Sequence, residues 1–157
     1  MQGTLNDSFL TSKGISQAAA LGVKISKREA ITRTFCSPLQ RCRQTYAEIS
    51  QRCSANGNPL PEPTVLENLK EIELKEWQGR LRNDIMVEDK TNWEIFTANS
   101  CDLRLQGGTF APVLDCFERA NNNWDAIRTD AASNSADVIF IMCHGAIGQY
   151  MLLQRAE

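Results

Sequence analysis

The sequence lacks the features that mark several large classes of protein. Its longest apolar run, Val138–Cys143, is far shorter than the roughly 20 residues that a membrane helix needs. Met1–Leu10 do not have the pattern of a signal or transit peptide. Lys and Arg total 17 and Asp and Glu total 19, a net charge of −2, which excludes a generically basic nucleic-acid binder. We therefore expect neither nucleic acid nor a membrane as a partner.

Histidine is scarce, and the cysteines are poorly spaced for metal binding. The chain has one histidine, His144, and six cysteines without a C-x-x-C pair. This spacing predicts no metal site and gives no support to a redox protein built on the cysteines. Free cysteines in apolar patterns act as small hydrophobic residues. We therefore expect a reducing compartment, the cytoplasm or a plastid, while the pattern predicts no particular oligomeric state.

The 157 residues suit one domain with an ordinary hydrophobic fraction of 42%. Apolar periodicity predicts strands over 31–36, 64–66 and 137–143 and helices over 11–27, 37–51, 80–89, 93–99, 110–127 and 146–154. Strands that alternate with helices indicate an α/β three-layer sandwich, with a mostly parallel sheet flanked by helices.

A first candidate site lies where the 31–36 strand meets the next helix. Ser37 is a predicted N-cap, with Pro38 at the first helical position and Gln40 where a capping box places Glu or Gln. Arg41 and Arg43 then stand in the opening turns, where the helix dipole repels cations. A bound phosphate or carboxylate would resolve this conflict, and the alternative is an arginine that extends into solvent.

A second candidate site lies at the end of the last strand. His144 follows the strand directly and precedes Gly145, which permits a sharp turn into the next helix. A lone histidine can also be purely structural. Because ligands in open α/β sheets bind beyond the carboxyl ends of the strands, we expect His144 and Arg41 at the same edge. Cys143 is expected to be in the core, since adjacent strand residues point to opposite faces.

Three carboxylates alternate in the polar stretch Asn68–Gly79, namely Glu71, Glu73 and Glu76. Their spacing alone favours a solvated loop of mixed charge. One of them could serve as a proton donor if it reached the anion site.

In this order, the motifs resemble the phosphoglycerate mutase-like branch of the histidine phosphatase superfamily. The matching segments are collinear over nearly the whole chain: Gln2-Gly3, Leu10-Thr11-Ser12-Lys13-Gly14, Ser37-Pro38-Leu39-Gln40-Arg41, Leu69-Lys70-Glu71, Glu76-Trp77-Gln78-Gly79, Gly107-Gly108 and Val138–Cys143 with His144-Gly145.

The resemblance implies a role for each matched residue. Arg41 corresponds to the arginine that binds phosphate, Glu71 to the acid that protonates the leaving oxygen, and His144 to the histidine that flanks the transferred phosphoryl group. The remaining phosphate- or substrate-binding residues are Gly3, Ser37 and Gly145. The implied reaction is phosphoryl transfer through a phosphohistidine, without metal or other cofactor, on a small substrate such as a sugar phosphate.

Two departures from the family pattern matter. The family nucleophile lies in an Arg-His-Gly motif at the end of a first strand, upstream of the segment that matches Gln2-Gly3, and this chain has one histidine in total. Where many members have Gly-Glu-Ser, this chain has Gly108-Thr109-Phe110. We therefore expect residues 1–157 to form a single domain of the family that is shortened at the N-terminus, and also at the C-terminus, and that is inactive as given.

Three functions remain open. The chain has no Arg-Arg pair of the kind that mutases carry before the Gly-rich turn, which favours a phosphatase over a phosphoglycerate mutase. The spacing of Gly3, Asp7 and Leu10-Thr11 resembles 2-carboxy-D-arabinitol-1-phosphatase-like members. The three functions are therefore a phosphatase, a phosphoglycerate mutase and a non-catalytic phosphate-binding or regulatory remnant.

The expected loss of the first strand also predicts instability. If that strand lies between the 31–36 and 138–143 strands, its absence leaves a slot lined by unpaired backbone groups. Each such group costs roughly 1–3 kcal/mol, against a domain stability of about 5–15 kcal/mol. The chain should then be poorly folded, strand-swapped or prone to aggregation, unless the two strands pair directly.

Overall fold

The computed structural model describes residues 1–153, which contain six α-helices and three β-strands. Their order is α1 (Ser12–Ile25), β1 (Arg33–Cys36), α2 (Gln40–Ala55), β2 (Thr64–Val65), α3 (Arg82–Glu88), α4 (Lys90–Ala98), α5 (Pro112–Ser133), β3 (Ile139–Met142) and α6 (Gly145–Leu153). The alternation confirms the α/β prediction. The predicted end of the last helix, residue 154, lies outside the described residues.

The three strands form a parallel sheet in the order β2-β1-β3. β1 and β3 pair directly, with Arg33 opposite Ile139 and Cys36 opposite Met142. The expectation of an unfilled slot between them is wrong, because the backbone groups of the two strands satisfy one another. Over residues 1–153, β2 and β3 are the two edge strands of the sheet, and no strand pairs with the far side of β3.

Helices cover both faces of the sheet and make a three-layer structure. On one face, α1 and α2 pack against Phe140 and Met142 of β3. On the other face, α5 and α6 pack against Ile139 and Ile141 around the buried Phe35 of β1. Successive strand residues point to opposite faces, so the continuous apolar sequence of β3 serves both helical layers.

A separate aromatic cluster lies beside the sheet and holds the 67–80 loop. Trp77 packs against Phe96 and Trp93, with ring centroids 5.6 and 6.0 Å away. The Trp77 indole N–H also donates to Asp89 Oδ2 at 2.8 Å. Because Trp77 is fully buried, it anchors the loop that carries Glu71.

The structure agrees only in part with what the sequence suggests for the starts and the buried faces of the helices. Thr11 caps α1 as its position suggests, since its Oγ1 accepts from the Gly14 N–H at 3.1 Å. Ile15 of α1 is exposed although it is apolar. On α5 the buried face contains Val113, Cys116, Ala120, Asn123 and Ile127, whereas the apolar Leu114 and Phe117 are exposed. Cys116 and Ala120 of this face belong to the buried cluster around Phe35.

None of the helices within residues 1–153 combines the length and apolarity required to cross a bilayer.

Candidate active site

The carboxyl ends of β1 and β3 meet at one edge of the sheet and deliver the polar residues expected there. Ser37 follows β1, and His144 follows β3. The pocket at this edge has a volume of about 360 Å³. It is lined by Met1, Gln2, Gly3, Arg41, Glu71, Ile72, Leu74, His144 and Gly145. Three separate segments of the chain therefore bring Arg41, Glu71 and His144 together.

Arg41 is the second residue of α2, and backbone carbonyls hold its guanidinium group. Nη1 donates to the Leu5 carbonyl and Nη2 to the Gly3 carbonyl, each at 2.8 Å. Among the described residues, no carboxylate forms an ion pair with Arg41. The two carbonyls offset part of the conflict between the arginine and the positive end of α2, and they leave the charge uncompensated.

The start of α2 differs from the prediction. The helix begins at Gln40 with Leu39 at the N-cap position, and no side chain of that residue caps it. The predicted capping box is wrong, because Ser37 lies outside the helix and its Oγ accepts from the Leu39 N–H at 3.3 Å. The Gln40 N–H is instead bound by Asn6 Oδ1 at 2.5 Å.

Ser37 does not line the pocket, but it contacts His144, which does. Its Oγ lies 2.8 Å from His144 Nε2, and the Ser37 side chain is fully buried. Burial, and after it the charge of Arg41, lower the pKa of His144, while Glu71 raises it, and the net result is a pKa of about 4. The imidazole is therefore neutral at pH 7.

Glu71 closes the pocket and caps the helix that follows His144. Its Oε1 accepts from the Ala146 N–H at 3.0 Å and from the Ile72 N–H at 2.9 Å. A carboxylate at the N-terminus of α6 is favoured by the helix dipole.

The other two carboxylates of the loop are engaged elsewhere. Glu73 pairs with Lys75 at 2.9 Å, and Glu76 Oε1 accepts from the Gln106 N–H at 2.8 Å. Of the three carboxylates that alternate in sequence, Glu71 is the one that lines the pocket.

Gly3 forms the floor of the pocket, in a conformation that favours glycine. Its φ is +53°, and a Cβ at this position would lie 2.1 Å from Gln78 Oε1. That same oxygen accepts from the Thr4 hydroxyl at 2.9 Å. The 1–5 segment is therefore fixed between the 67–80 loop and Arg41. Gly145 lines the opposite wall at the first position of α6.

Arg119 of α5 is a positioning residue that sequence reasoning missed. Its Nη1 donates to the Lys70 carbonyl at 2.8 Å and its Nη2 to the Glu71 carbonyl at 3.2 Å. Its Nε pairs with Asp115 at 2.9 Å. The Asp115–Arg119 spacing of i, i+4 is visible in the sequence, but the carbonyls that the arginine holds come from a distant loop.

Cys143 is half-buried, so its expected place in the core is only partly realised. Its side chain lines a separate groove beside the free edge of β3, together with Ile139, Ile141 and Met151. Burial raises the pKa of its thiol.

A larger cavity of about 700 Å³ lies on the other side of the α2 start, lined in part by Cys36, Pro38, Gln40 and Arg43. It shares no lining residue with the Arg41 pocket. Among residues 1–153, no group of His, Cys, Asp or Glu side chains is placed to hold a metal ion.

Comparison with known proteins gives a consistent family assignment. The model of the histidine phosphatase superfamily (branch 1) matches residues 1–156. A curated relative, the metal-independent phosphoserine phosphatase of Arabidopsis thaliana, is 24% identical over 148 residues. The match covers 94% of this chain and 58% of that relative, so the chain spans little more than half of the relative's length.

Solved structures share the fold. Bacillus stearothermophilus YhfR has a TM-score of 0.79 at 24% identity, and a putative alpha-ribazole-5'-P phosphatase from Escherichia coli has 0.78 at 19%. Each match covers 98% of this chain and 70% of the other. A mycobacterial glucosyl-3-phosphoglycerate phosphatase in complex with inorganic phosphate has a TM-score of 0.76 at 20% identity, with coverage of 98% and 72%.

Proposed function

The chain belongs to the histidine phosphatase superfamily, and from that premise we propose that it binds the phosphate group of a small phosphomonoester in the Arg41 pocket. We further propose that the full-length form hydrolyses this ester through a phosphohistidine. Small phosphate esters appear in the names of its relatives, as phosphoserine, alpha-ribazole-5'-phosphate and glucosyl-3-phosphoglycerate. A pocket of about 360 Å³ is at the small end of the range for ligand sites, which favours a small substrate.

The observation that carries the proposal is the convergence of Arg41, Glu71 and His144 on one pocket. Arg41 supplies a positive charge that no carboxylate neutralises among the described residues. His144 is neutral at pH 7 and can hydrogen-bond a phosphate oxygen without adding charge. Glu71 lies across the pocket, where it can protonate a leaving oxygen.

The nucleophile is the part of the site that this sequence does not contain. His144 is the chain's one histidine, and its Nε2 is engaged by Ser37. We propose that an upstream Arg-His-Gly segment pairs with the free edge of β3 and places its histidine beside His144. The histidine nitrogen would attack phosphorus, the bond to the leaving oxygen would break, and Glu71 would protonate that oxygen. Water would then hydrolyse the phosphohistidine.

A second candidate, phosphate binding without turnover, is favoured by the same observation on His144. With Arg41 as the one lysine or arginine among the described residues that line the pocket, and Glu71 as a nearby anion, the electrostatic attraction for phosphate is modest. We therefore propose that the 157-residue chain alone binds inorganic phosphate weakly and does not hydrolyse esters. The narrower choice of 2-carboxy-D-arabinitol 1-phosphate as substrate rests on spacing in the sequence alone.

Binding is tested by titrating inorganic phosphate into the purified chain in a calorimeter or by phosphorus NMR. Arg41→Lys keeps the charge but loses the guanidinium fork, and we expect it to weaken phosphate binding about tenfold or more. Arg43→Lys is the matched control, because Arg43 is exposed and does not line this pocket. Equal affinity in the two variants would contradict the assignment of the site.

Turnover is tested with p-nitrophenyl phosphate on two forms of the protein. The chain as given should show no activity above background, and a form extended upstream with an Arg-His-Gly strand should be active. Replacing the histidine of that strand by Ala should abolish the activity. If the chain as given hydrolyses the ester and His144→Ala abolishes this, His144 is itself the nucleophile and the proposal for the upstream histidine is wrong.

A further inference from the structure

Two cysteines that the proposed function does not use lie in contact beside the site. Cys36 is the last residue of β1, and Cys42 is the third residue of α2. Their Sγ atoms are 3.9 Å apart, and both side chains are buried. In the sequence, Cys36 directly precedes Ser37 and Cys42 directly follows Arg41. The pair therefore brackets the segment that supplies two of the candidate phosphate-binding residues.

We propose that Cys36 and Cys42 form an oxidation-sensitive dithiol, and that its conversion to a disulfide by hydrogen peroxide displaces Ser37 and Arg41 and weakens phosphate binding. The second half of this inference rests on the proposed function of the Arg41 pocket. The first half, formation of the disulfide, does not depend on it.

Cys36 is the thiol that reacts first. It lines the 700 Å³ cavity on the side of α2 away from the phosphate pocket, which gives a small oxidant a path to a residue with little exposed surface. Its hydrogen bond with Cys42 lowers the pKa of Cys36, burial opposes this, and the charge of Arg43 lowers it further. A thiol with greater thiolate character is the more reactive one.

The reaction balances with one peroxide. Cys36 Sγ attacks one peroxide oxygen, so an S–O bond forms, the O–O bond breaks, and water leaves with the thiol proton. Cys42 Sγ then attacks the sulfenic sulfur, so the S–S bond forms, the S–O bond breaks, and a second water leaves. Two thiols are oxidised, and one hydrogen peroxide is reduced to two waters.

The new bond changes the geometry around the pocket. A disulfide needs sulfur atoms about 2.05 Å apart, so the two Sγ atoms must approach by about 2 Å. Cys42 Sγ donates at present to the Met142 carbonyl at 3.2 Å, and it loses this hydrogen bond on oxidation. The start of α2 is thereby pulled toward the end of β1. A misplacement of about 1 Å can lower the reaction rate at an active site 10²-fold. For displaced phosphate-binding residues we expect phosphate binding to be at least about tenfold weaker.

The experiment treats the purified chain with hydrogen peroxide, blocks the remaining thiols and maps disulfide-linked peptides by mass spectrometry. Inorganic phosphate binding is measured on the reduced, oxidised and re-reduced protein. The NMR signal of the lone imidazole of His144 is followed in parallel, because its contact with Ser37 reports the geometry of the site without added ligand.

A Cys36–Cys42 peptide, a shifted His144 signal and a reversible loss of phosphate affinity would support the proposal. Cys42→Ala should abolish all three. Cys53→Ala, which removes another buried cysteine of α2 whose Sγ contacts the Gly22 carbonyl, should change none of them. Circular dichroism checks that both variants fold.

Absence of the linked peptide, or a link from Cys42 to Cys143 instead, would overturn the dithiol assignment. A Cys36–Cys42 link that leaves the His144 signal and phosphate affinity unchanged would overturn its coupling to the site. If the reduced chain binds no phosphate, the proposed function fails, whereas the peptide map and the His144 signal still decide the dithiol and its effect on the site.

Discussion

β1 and β3 are neighbouring parallel strands of four residues that differ in how well they are covered. β1 has the sequence Arg-Thr-Phe-Cys, and its last three residues are buried. β3 has the sequence Ile-Phe-Ile-Met, yet all four residues are only half-buried. The more apolar strand is thus the less buried one. The cause is position in the sheet, because β1 is paired on both sides and β3 on one.

The difference in burial between β1 and β3 also affects the polar groups of the two strands. Thr34 of β1 is buried, and its Oγ1 has no hydrogen-bond partner among the described residues. On β3, the carbonyls of Val138 and Met142 accept from the β1 side, so the peptide groups of Ile139 and Ile141 point to the free edge. The central strand therefore tolerates a polar side chain, while the edge strand leaves backbone groups open to a further strand.

The sharpest test of the comparison replaces the same residue type in each strand. Phe35→Ala in β1 removes a fully buried ring, and we expect a loss of about 3–5 kcal/mol in the free energy of unfolding. Phe140→Ala in β3 removes a half-buried ring and should cost roughly half as much. Urea denaturation of the two variants and the unaltered chain measures the difference. Equal losses would mean that β3 is covered in solution.

His144, two residues after the end of β3, predicts a pH dependence of stability. The pKa of His144 is about 4 in the folded chain and 6.5 when unperturbed. As the pH falls from 6.5 toward 4, the unfolded chain takes up a proton that the folded chain does not, so stability falls by up to about 3 kcal/mol. The stabilisation is fully present above pH 6.5.

His144→Gln provides the control for this titration. It removes the ionisable group, while the carboxylates that also titrate in this range stay. Denaturation series at several pH values should therefore show a shallower dependence for the variant. Identical slopes for the two proteins would show that the imidazole is solvated and that its pKa is near the ordinary value.

The contact between Ser37 and His144 joins the ends of the two strands and predicts a smaller effect. Ser37→Ala removes this hydrogen bond and also the acceptor for the Leu39 N–H, for a loss of about 1 kcal/mol in unfolding free energy. Ser16→Ala is the control, since its hydroxyl is exposed and bonds within α1, and it should change stability by less than about 0.5 kcal/mol. If Ser37→Ala leaves the free energy of unfolding unchanged, water replaces the hydroxyl in the variant.

The smallest expected effect is local and requires no substitution. Amide hydrogen exchange should be faster at Ile139 and Ile141, which face the free edge, than at Phe140 and Met142, which face β1. The amides of Phe35 and Cys36, the two residues of β1 that pair with a strand on each side, should be protected. Uniform protection along β3 would mean that another chain occupies its edge, and a concentration dependence of that protection would identify a second copy.

Much of the fold could be predicted because its elements carry strong local patterns. The 31–36 and 137–143 strands and the α5 helix are each apolar at the right period, and the structure has elements at all three places. The helix start at Ser37 was predicted less well. Ser37 accepts from the Leu39 N–H, whereas Asn6 accepts from the Gln40 N–H that the predicted capping box assigned to Ser37. The contact of Asn6 with α2 joins distant parts of the chain, so the local sequence does not reveal it.

Site residues that lie at strand ends could be predicted from the sequence. Residues that act by binding backbone carbonyls could not. Arg41 and His144 lie at strand ends, which parallel pairing brings to one edge. Glu71 could be chosen from its neighbours only through the family resemblance. Arg119 holds the Glu71 segment by its carbonyls. Only its spacing from Asp115 is visible in the sequence, because every residue type offers the same carbonyl.

The sequence by itself determined the layered α/β architecture and the order of the motifs, since hydrophobic period and strand-end chemistry are local properties of the chain. Only the tertiary structure decided that β1 pairs directly with β3, that β3 has a free edge, and that Cys36 meets Cys42. Each of these depends on which segments pack against one another. That choice is made by the burial and backbone pairing of the whole chain, and no single segment encodes it.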